Sequence, residues 1–492
     1  MKIKIINLLL LALFANVTLA GQAQSIDKQK QARLESYVAS YYNQGSFNGV
    51  VMVAEKGKPI LSKGYGYANV EWQVPNTPQT KFLLASISKT FTATMVMKLV
   101  DQGKLSLDTR LSDVLKWYRQ DVGSKVTIRH LLNHTSGIPN YFGLKRQTVD
   151  DIMKEFGNGP INKTDFAKKY CMSDLDFEPG SKWMYDNSAY FLLGLIIEEV
   201  NGTSYEKALQ DLVLKPLGMS NSGDRQPDPY KVIDKLATGY MHQFSTFSYP
   251  AYWNMSTAYS AGSIYSTLED LLKYDRAFYS ETFLSKASRD AMFTPGLNNY
   301  GCGWELREVP VGIDSAVKKI RTHEGFLMAW HTRFYQIPDE QYLVIILSNA
   351  GNAPLEKMFK GITDILYNRK PANMKPLVAF ELSKSMQPGK IDSQLEKFRN
   401  SFKTEKDKWD FNEAELNRLG YATLLKDTAS AVKVFGFITE LYPGSWNAWD
   451  SFAEGLVALG NKQEAIKAYE KSIELNPDHK AGKEALLKLK EK

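Results

Sequence analysis

A serine and a lysine stand three residues apart in Leu84-Ala85-Ser86-Ile87-Ser88-Lys89-Thr90-Phe91, where the sequence enters a stretch of helical periodicity. Spacing of i and i+3 puts both side chains on one helix face. At a helix start, unpaired N–H groups and the positive end of the dipole favour negative charge developing on the serine oxygen. A serine hydroxyl is a weak nucleophile until something takes its proton, and a lysine does so only when burial or neighbouring positive charge lowers its pKa. Alone the four-residue pattern is common, and it also describes a capping serine beside a solvated lysine. It gains force only with partners.

Two partners follow downstream. Tyr185-Asp186-Asn187 lies between the turn Glu178-Pro179-Gly180-Ser181 and the apolar run Tyr190 to Ile197. A tyrosine hydroxyl there can shuttle a proton between nucleophile and leaving group, and the Asn187 amide can hold a substrate carbonyl. Asn187 or Ser188 capping the next helix is the competing reading. The third segment is Arg321-Thr322-His323-Glu324-Gly325-Phe326, in which Gly325 would let a substrate approach the backbone and His323 would join the chemistry. His130 and His134 are four apart, as zinc ligands on a helix often are. No Glu-flanked His pattern accompanies them, so no metal site is read here.

The elements that must position these residues are legible around them. Asn48 to Glu55 and Pro59 to Gly64, about a turn at Lys56-Gly57-Lys58, form one predicted hairpin. A second has strands Ala329 to Ile337 and Gln341 to Ser348, joined at Pro338-Asp339-Glu340. Between them Thr90 to Gln102 carries Phe91, Met95 and Leu99 at four-residue spacing and stops at Gly103. Strands at both ends with helices between predict an α+β domain over 26–370, an antiparallel sheet flanked by helices with a helical subdomain. A linker is expected at 371–405. From 406 to 492 the texture is helical, and Ala431, Phe435 and Pro443 recur as Ala465, Tyr469 and Pro477, each 34 positions on. That is the period of tetratricopeptide repeats, and two such repeats are fewer than usually stand alone. This unit is therefore expected to lean on the catalytic domain or another subunit, and it could bind a protein or peptide.

The chain has 492 residues, 43% hydrophobic, ample for a large core and more than one domain. Met1-Lys2-Ile3-Lys4, the apolar run Leu8 to Ala15 and then Thr18-Leu19-Ala20 read as a signal peptide over 1–23, cut after Ala20 or Ala23. The apolar run is shorter than the ~20 residues that span a bilayer, so the mature chain is expected in the periplasm or outside the cell, with no membrane span. The formal charge of +7 falls by two with that leader, and the remaining Lys and Arg are scattered, which argues against nucleic acid. Two cysteines, Cys171 and Cys302, make no disulfide scaffold, and whether they pair stays open.

Taken in order, and with Leu131-Leu132-Asn133-His134-Thr135-Ser136-Gly137 and Ser260-Ala261-Gly262-Ser263-Ile264-Tyr265-Ser266-Thr267 between them, the three motifs resemble the serine β-lactamase/penicillin-binding family, class C branch, over Gln31 to Arg369. The resemblance implies a β-lactamase/transpeptidase-like fold and an acyl-enzyme on Ser86. The oxyanion would be held by the N–H groups of Ser86 and Phe326, with Lys89 and Tyr185 sharing the proton traffic and Asn187 orienting the substrate. It implies neither metal nor organic cofactor. His323 stands where many relatives have the lysine of Lys-Thr-Gly, and Glu324 adds negative charge, so carboxylate binding is weakened. Leu327, Met328, Ala329 and Trp330 make an apolar rim unless Met328 and Trp330 face the core. An esterase or peptidase acting on a small molecule or peptide is expected. The alternatives are a β-lactamase or D-alanyl-D-alanine carboxypeptidase, or a non-catalytic peptidoglycan- or peptide-binding protein that uses its helical repeats.

Overall fold

The computed structural model describes residues 28–142, 152, 154–157, 159–225, 231–311, 316–372, 374–386 and 390–491; the expected leader at 1–23 lies outside them. No helix among the described residues is long and apolar enough to cross a membrane. The chain divides into two compact units. The first takes in residues 47–241 and 248–371 with the segment up to Tyr42. The second takes in residues 372–492 with Asn43–Ser46 and His242–Phe247.

The first unit is built on one six-stranded antiparallel sheet. Its strands are β1 (Gly49–Glu55), β2 (Lys58–Tyr65), β3 (Glu305–Val311), β4 (Ala316–Leu327), β5 (Trp330–Ile337) and β6 (Tyr342–Ser348), in the spatial order β3-β4-β5-β6-β1-β2. The two expected hairpins are present, and they meet at the centre, where Gly49 to Glu55 run opposite Ser348 to Tyr342. Every residue of β6 is buried, as a continuous apolar run requires when both faces are covered. The edge strand β2 buries only Leu61 and Tyr65 and leaves its other positions partly or fully exposed. Pairing of β3 with β4 ends at Glu305 opposite Thr322, so from His323 onward one edge of β4 has no strand beside it.

Two helices stand behind that open edge. α1 (Ser88–Asp101) is buried on nearly all sides, and α2 (Asn187–Asn201) is buried from Asn187 through Ile197. A helix buried all round belongs inside a domain, and the buried hydroxyls of α1 are paired, Thr92 with the Ser260 carbonyl and Thr94 with the Thr90 carbonyl. Asp186 caps α2 by accepting from Ser188 N and Ala189 N, and Gly202 ends it in the left-handed conformation at φ 68°. Cys171 and Cys302 are both buried and unpaired.

The second unit is helical, with its own cores. The expected linker at 371–405 is not one: it carries the helices Val378–Ser383 and α3 (Ile391–Thr404). Val378, Phe380, Leu395 and Phe398 there join one core with Leu416, Val434 and Phe435. Short amphipathic helices thus extend the stack beyond the two repeats, which by themselves would leave an apolar face bare. The repeats are α4 (Glu413–Leu424) with α5 (Thr428–Leu441), and α6 (Trp446–Leu459) with α7 (Lys462–Leu475). Of the residues that recur at 34 positions, Ala431, Phe435, Ala465 and Tyr469 are buried and the two prolines are exposed. The Phe435 ring is wedged between Gly420 and Gly455, where an added Cβ would lie 2.3 and 2.9 Å from it.

Gly420→Ala therefore opposes two effects. Helix propensity favours alanine by roughly 0.5–1 kcal/mol, whereas overpacking against a ring with no room to move costs about 1–3 kcal/mol. The second should win, giving a lower urea midpoint for the helical unit; an unchanged or raised midpoint would show that the ring is not confined.

Candidate active site

From Phe82 to Met97 every residue but Ser86 is buried. Ser86 lies on a short 3-10 turn, Ala85–Ile87, that runs into α1, so the expected helix start is preceded by a tighter turn. Ala85 is held at φ 49°, a region an alanine seldom adopts. The turn is fixed on both sides. Leu84 N donates to Ile264 O at 2.8 Å, and the Leu84 carbonyl accepts from Thr332 Oγ1 at 2.8 Å.

Lys89 has no exposed surface. Its Nζ lies 3.0 Å from Ser86 Oγ, 2.8 Å from Asn187 Oδ1 and 2.9 Å from the Ala261 carbonyl. Burial pushes its pKa down to about 7, against the pull of the Asp186 charge. A neutral amine has two N–H donors and one lone pair. Two of the three neighbours are carbonyl oxygens that can only accept, so they take both donors and turn the lone pair towards the Ser86 hydroxyl. Asn187 in turn is held by Asn140, whose Oδ1 accepts from both Asn187 N and Nδ2 at 3.1 Å.

Tyr185 follows in the loop ahead of α2, its ring 5.0 Å from Lys89 Nζ. Burial raises its pKa well above the ordinary value, outweighing the lowering hydrogen bond with Ser86. It is therefore a protonated phenol at neutral pH. His134 clamps this loop from behind: its carbonyl accepts from Met184 N at 3.0 Å and its Nδ1 from Asp186 N at 3.1 Å. Burial drives its pKa far below 6.5, and its ring lies 4.5 Å from that of Tyr185, so it is a neutral packing and hydrogen-bonding residue.

The open edge of β4 forms the opposite wall. His323 is buried; its Nδ1 donates to the Glu324 carbonyl at 2.7 Å and its Nε2 accepts from the Tyr300 hydroxyl at 2.9 Å. Burial, then the charge of Lys89, lower its pKa to about 3. Both ring nitrogens of the neutral His323 are thus engaged within the wall. At Gly325 a Cβ would come 2.1 Å from the Leu84 carbonyl and 2.3 Å from Thr332 Oγ1, so the segment bearing Ser86 lies close against this glycine. At Leu327–Trp330 the strand reverses through Met328 and Ala329. A two-residue turn closes on a hydrogen-bonded pair, so Phe326, one step back, points its N–H away from β5 and into the site.

These walls enclose a cavity of about 410 Å³. Ser86, Tyr185, Asn187 and His323 line it, with Phe142, Trp253, Phe326, Leu327 and Met328 as its apolar part and Glu305 and Glu324 as its carboxylates. Trp330, expected on the rim, instead packs edge-on against Phe82 in the core.

The profile of the beta-lactamase family matches residues 31–365. The chain belongs to the beta-lactamase family of serine hydrolases. A tetratricopeptide repeat profile matches residues 449–479. A penicillin-binding protein of Bacillus subtilis (strain 168) is 30% identical over 351 residues, 65% of this chain and 72% of that protein. The octameric penicillin-binding protein homologue from Pyrococcus abyssi is 27% identical with a TM-score of 0.58, over 72% of this chain and 80% of that one. The D-amino acid amidase from Ochrobactrum anthropi SV3, 21% identical, shares the fold at a TM-score of 0.57 over 70% of this chain and 99% of its own.

Within this beta-lactamase-family fold, the sequence motifs converge on one cavity, and the structure adds residues they did not name. Asn140, Tyr300 and Glu305 touch the cluster, and the Ala261 carbonyl does so from within the Ser260 to Thr267 motif. His134 belongs to the Leu131 to Gly137 motif, without a role assigned to it there. A lysine titrating near pH 7 is a physical property that can be read directly. In protein carrying 13Cε-lysine, NMR should find one such lysine, and the signal should vanish in Lys89→Met; a spectrum in which every lysine titrates near 10 would contradict the burial of this amine.

Proposed function

We propose that the protein is an exported hydrolase that cleaves an ester or amide with an uncharged, apolar acyl group through a Ser86 acyl-enzyme. The observation that carries this reading is the Lys89 amine, 3.0 Å from the Ser86 hydroxyl and otherwise bonded only to two carbonyl oxygens. Lys89 in its neutral form takes the Ser86 proton as Oγ attacks the acyl carbon. The Tyr185 hydroxyl passes a proton to the departing atom and is refilled from Lys89. The N–H groups of Ser86 and Phe326 face the oxygen that gains charge; loss of one such donor commonly lowers kcat by ~100- to 1000-fold. Water then attacks the ester of Ser86 and releases the acid. His323 in this reading is a positioning residue that holds the β4 edge.

The second reading is a β-lactamase or a D-alanyl-D-alanine carboxypeptidase, and the relatives' names favour it. The cavity argues against it. Among the described residues lining it none is Lys or Arg, while Glu305 and Glu324 are carboxylates, so a substrate carboxylate meets repulsion. The apolar walls suit an acyl chain instead.

A fluorophosphonate probe should label Ser86, and Ser86→Ala should abolish both labelling and turnover of p-nitrophenyl butyrate. The pH dependence has a fixed sign. Because the Lys89 pKa is depressed to about 7, the base form accumulates above it, so kcat/KM should rise through pH 7 and level off. A profile flat from pH 5 to 8, or nitrocefin hydrolysed faster than the butyrate, would overturn this assignment.

A further inference from the structure

A second cleft, of about 320 Å³, adjoins the catalytic cavity. Tyr185 and Glu305 belong to the walls of both. The rest of the cleft is Trp183, Tyr300, Asn298, Asn299 and Arg307. Its position is chemically informative. In the acylation proposed above, the bond from Ser86 Oγ to the acyl carbon forms as the bond from that carbon to the departing oxygen breaks. The proton that leaves Ser86 for Lys89 is matched by one that leaves Tyr185 for the departing oxygen, and Lys89 then restores the phenol. The net transfer is one proton from serine to alcohol. The departing oxygen must therefore lie within hydrogen-bonding reach of the Tyr185 hydroxyl, and the cleft that Tyr185 also lines is next to whatever that oxygen carries.

The walls of the cleft differ in kind from those of the acyl cavity. Trp183 and Tyr300 supply aromatic faces with centroids 6.0 Å apart at 48°. Asn298 and Asn299 sit on the turn Leu297–Asn299 at φ 56° and 53°, both exposed. Glu305 and Arg307 are two residues apart on β3 and so share one face of it. Each has an ionic partner. Arg333, itself buried, lies 3.3 Å from Glu305, and Arg307 is forked onto Glu356 by two contacts of 3.3 Å. Arg333 is shared with Glu324 and Glu356, however, so here carboxylates outnumber guanidiniums three to two. Paired, fixed polar groups beside aromatic faces favour a ligand with many hydrogen-bonding groups, since an anion would meet the surplus of carboxylate and an alkyl chain would strand the amides.

We infer that this cleft receives the leaving group and that the substrate is an ester of a hydroxylated ring, an acylated sugar in chemical class. The inference rests on the Ser86 acyl-enzyme reading and adds the identity of the alcohol. The test uses two esters of one acid, ethyl butyrate and glucose 6-O-butyrate, on the full chain. One or two hydrogen bonds made only by the sugar should raise its kcat/KM about tenfold or more over the ethyl ester. In Asn298→Gly, which keeps the left-handed turn while removing the amide, and in Arg307→Ala, that ratio should fall towards one. A wild-type ratio near one, or a ratio unchanged in both folded variants, would overturn the leaving-group assignment and leave the acyl-enzyme standing. If neither ester acylates Ser86, both readings fall together.

Discussion

A primary amine with no access to solvent organises this molecule. Burial favours the neutral form of Lys89, and the Asp186 charge opposes it without touching the amine. A carboxylate in contact would lock the ammonium in place and remove the base. Carbonyl oxygens from Asn187 and Ala261 do neither: they fix direction while leaving the charge free to change. Everything packed around the amine follows from the need to keep water off it, including the burial of α1 from Ser88 through Met97 and of α2 from Asn187 through Ile197.

Holding oxygens at those places bends the backbone. Ala85 before the serine, His134 behind Tyr185, Tyr259 ahead of the Ala261 carbonyl and Met328 at the rim all take positive φ, at 49°, 60°, 40° and 51°. Such residues carry strain on the order of 1–3 kcal/mol each and persist where surrounding structure over-determines them. Around Ala85 and His134 the surroundings do so by hydrogen bonds, at Leu84 in the first case and from Met184 and Asp186 in the second. Gly325 belongs to the same logic from the other side. With no Cβ it lets β4 lie against the Leu84 carbonyl, so the sheet and the serine turn move as one piece.

What the sequence made legible is what local spacing encodes. Ser86 and Lys89 are neighbours on one helical turn, the two hairpins have turn residues between apolar runs, and the 34-residue repeat announces its own period. The rest is contact between segments far apart. Nothing near Ala261 marks its carbonyl as a ligand of Lys89, because a backbone oxygen has no residue-specific signature. Asn140 is one asparagine among many until folding sets it under Asn187. β3 was missed because its alternating pattern includes Pro310 and its pairing partner β4 is long and polar. The segment 371–405 looked like a linker because Lys375-Pro376 interrupts it, whereas its two helices are short and reveal their apolar faces only against α4 and α5.

The third motif gains its meaning from the first. A lysine at position 323 would put a second cation near Lys89, and each would make the other harder to charge. With His323 the position is a closed, uncharged hydrogen-bonded ring between Tyr300 and the Glu324 carbonyl. The nearby carboxylates of Glu305 and Glu324 share a single cation, Arg333, at 3.3 and 3.1 Å, a residue only 6% exposed. Positive charge is thus kept behind the wall and carboxylate oxygens in front of it, the reverse of what a carboxylate-bearing substrate needs. Selection must then come from shape and apolar contact on the acyl side, and from hydrogen-bond geometry, rather than net charge, beyond Tyr185.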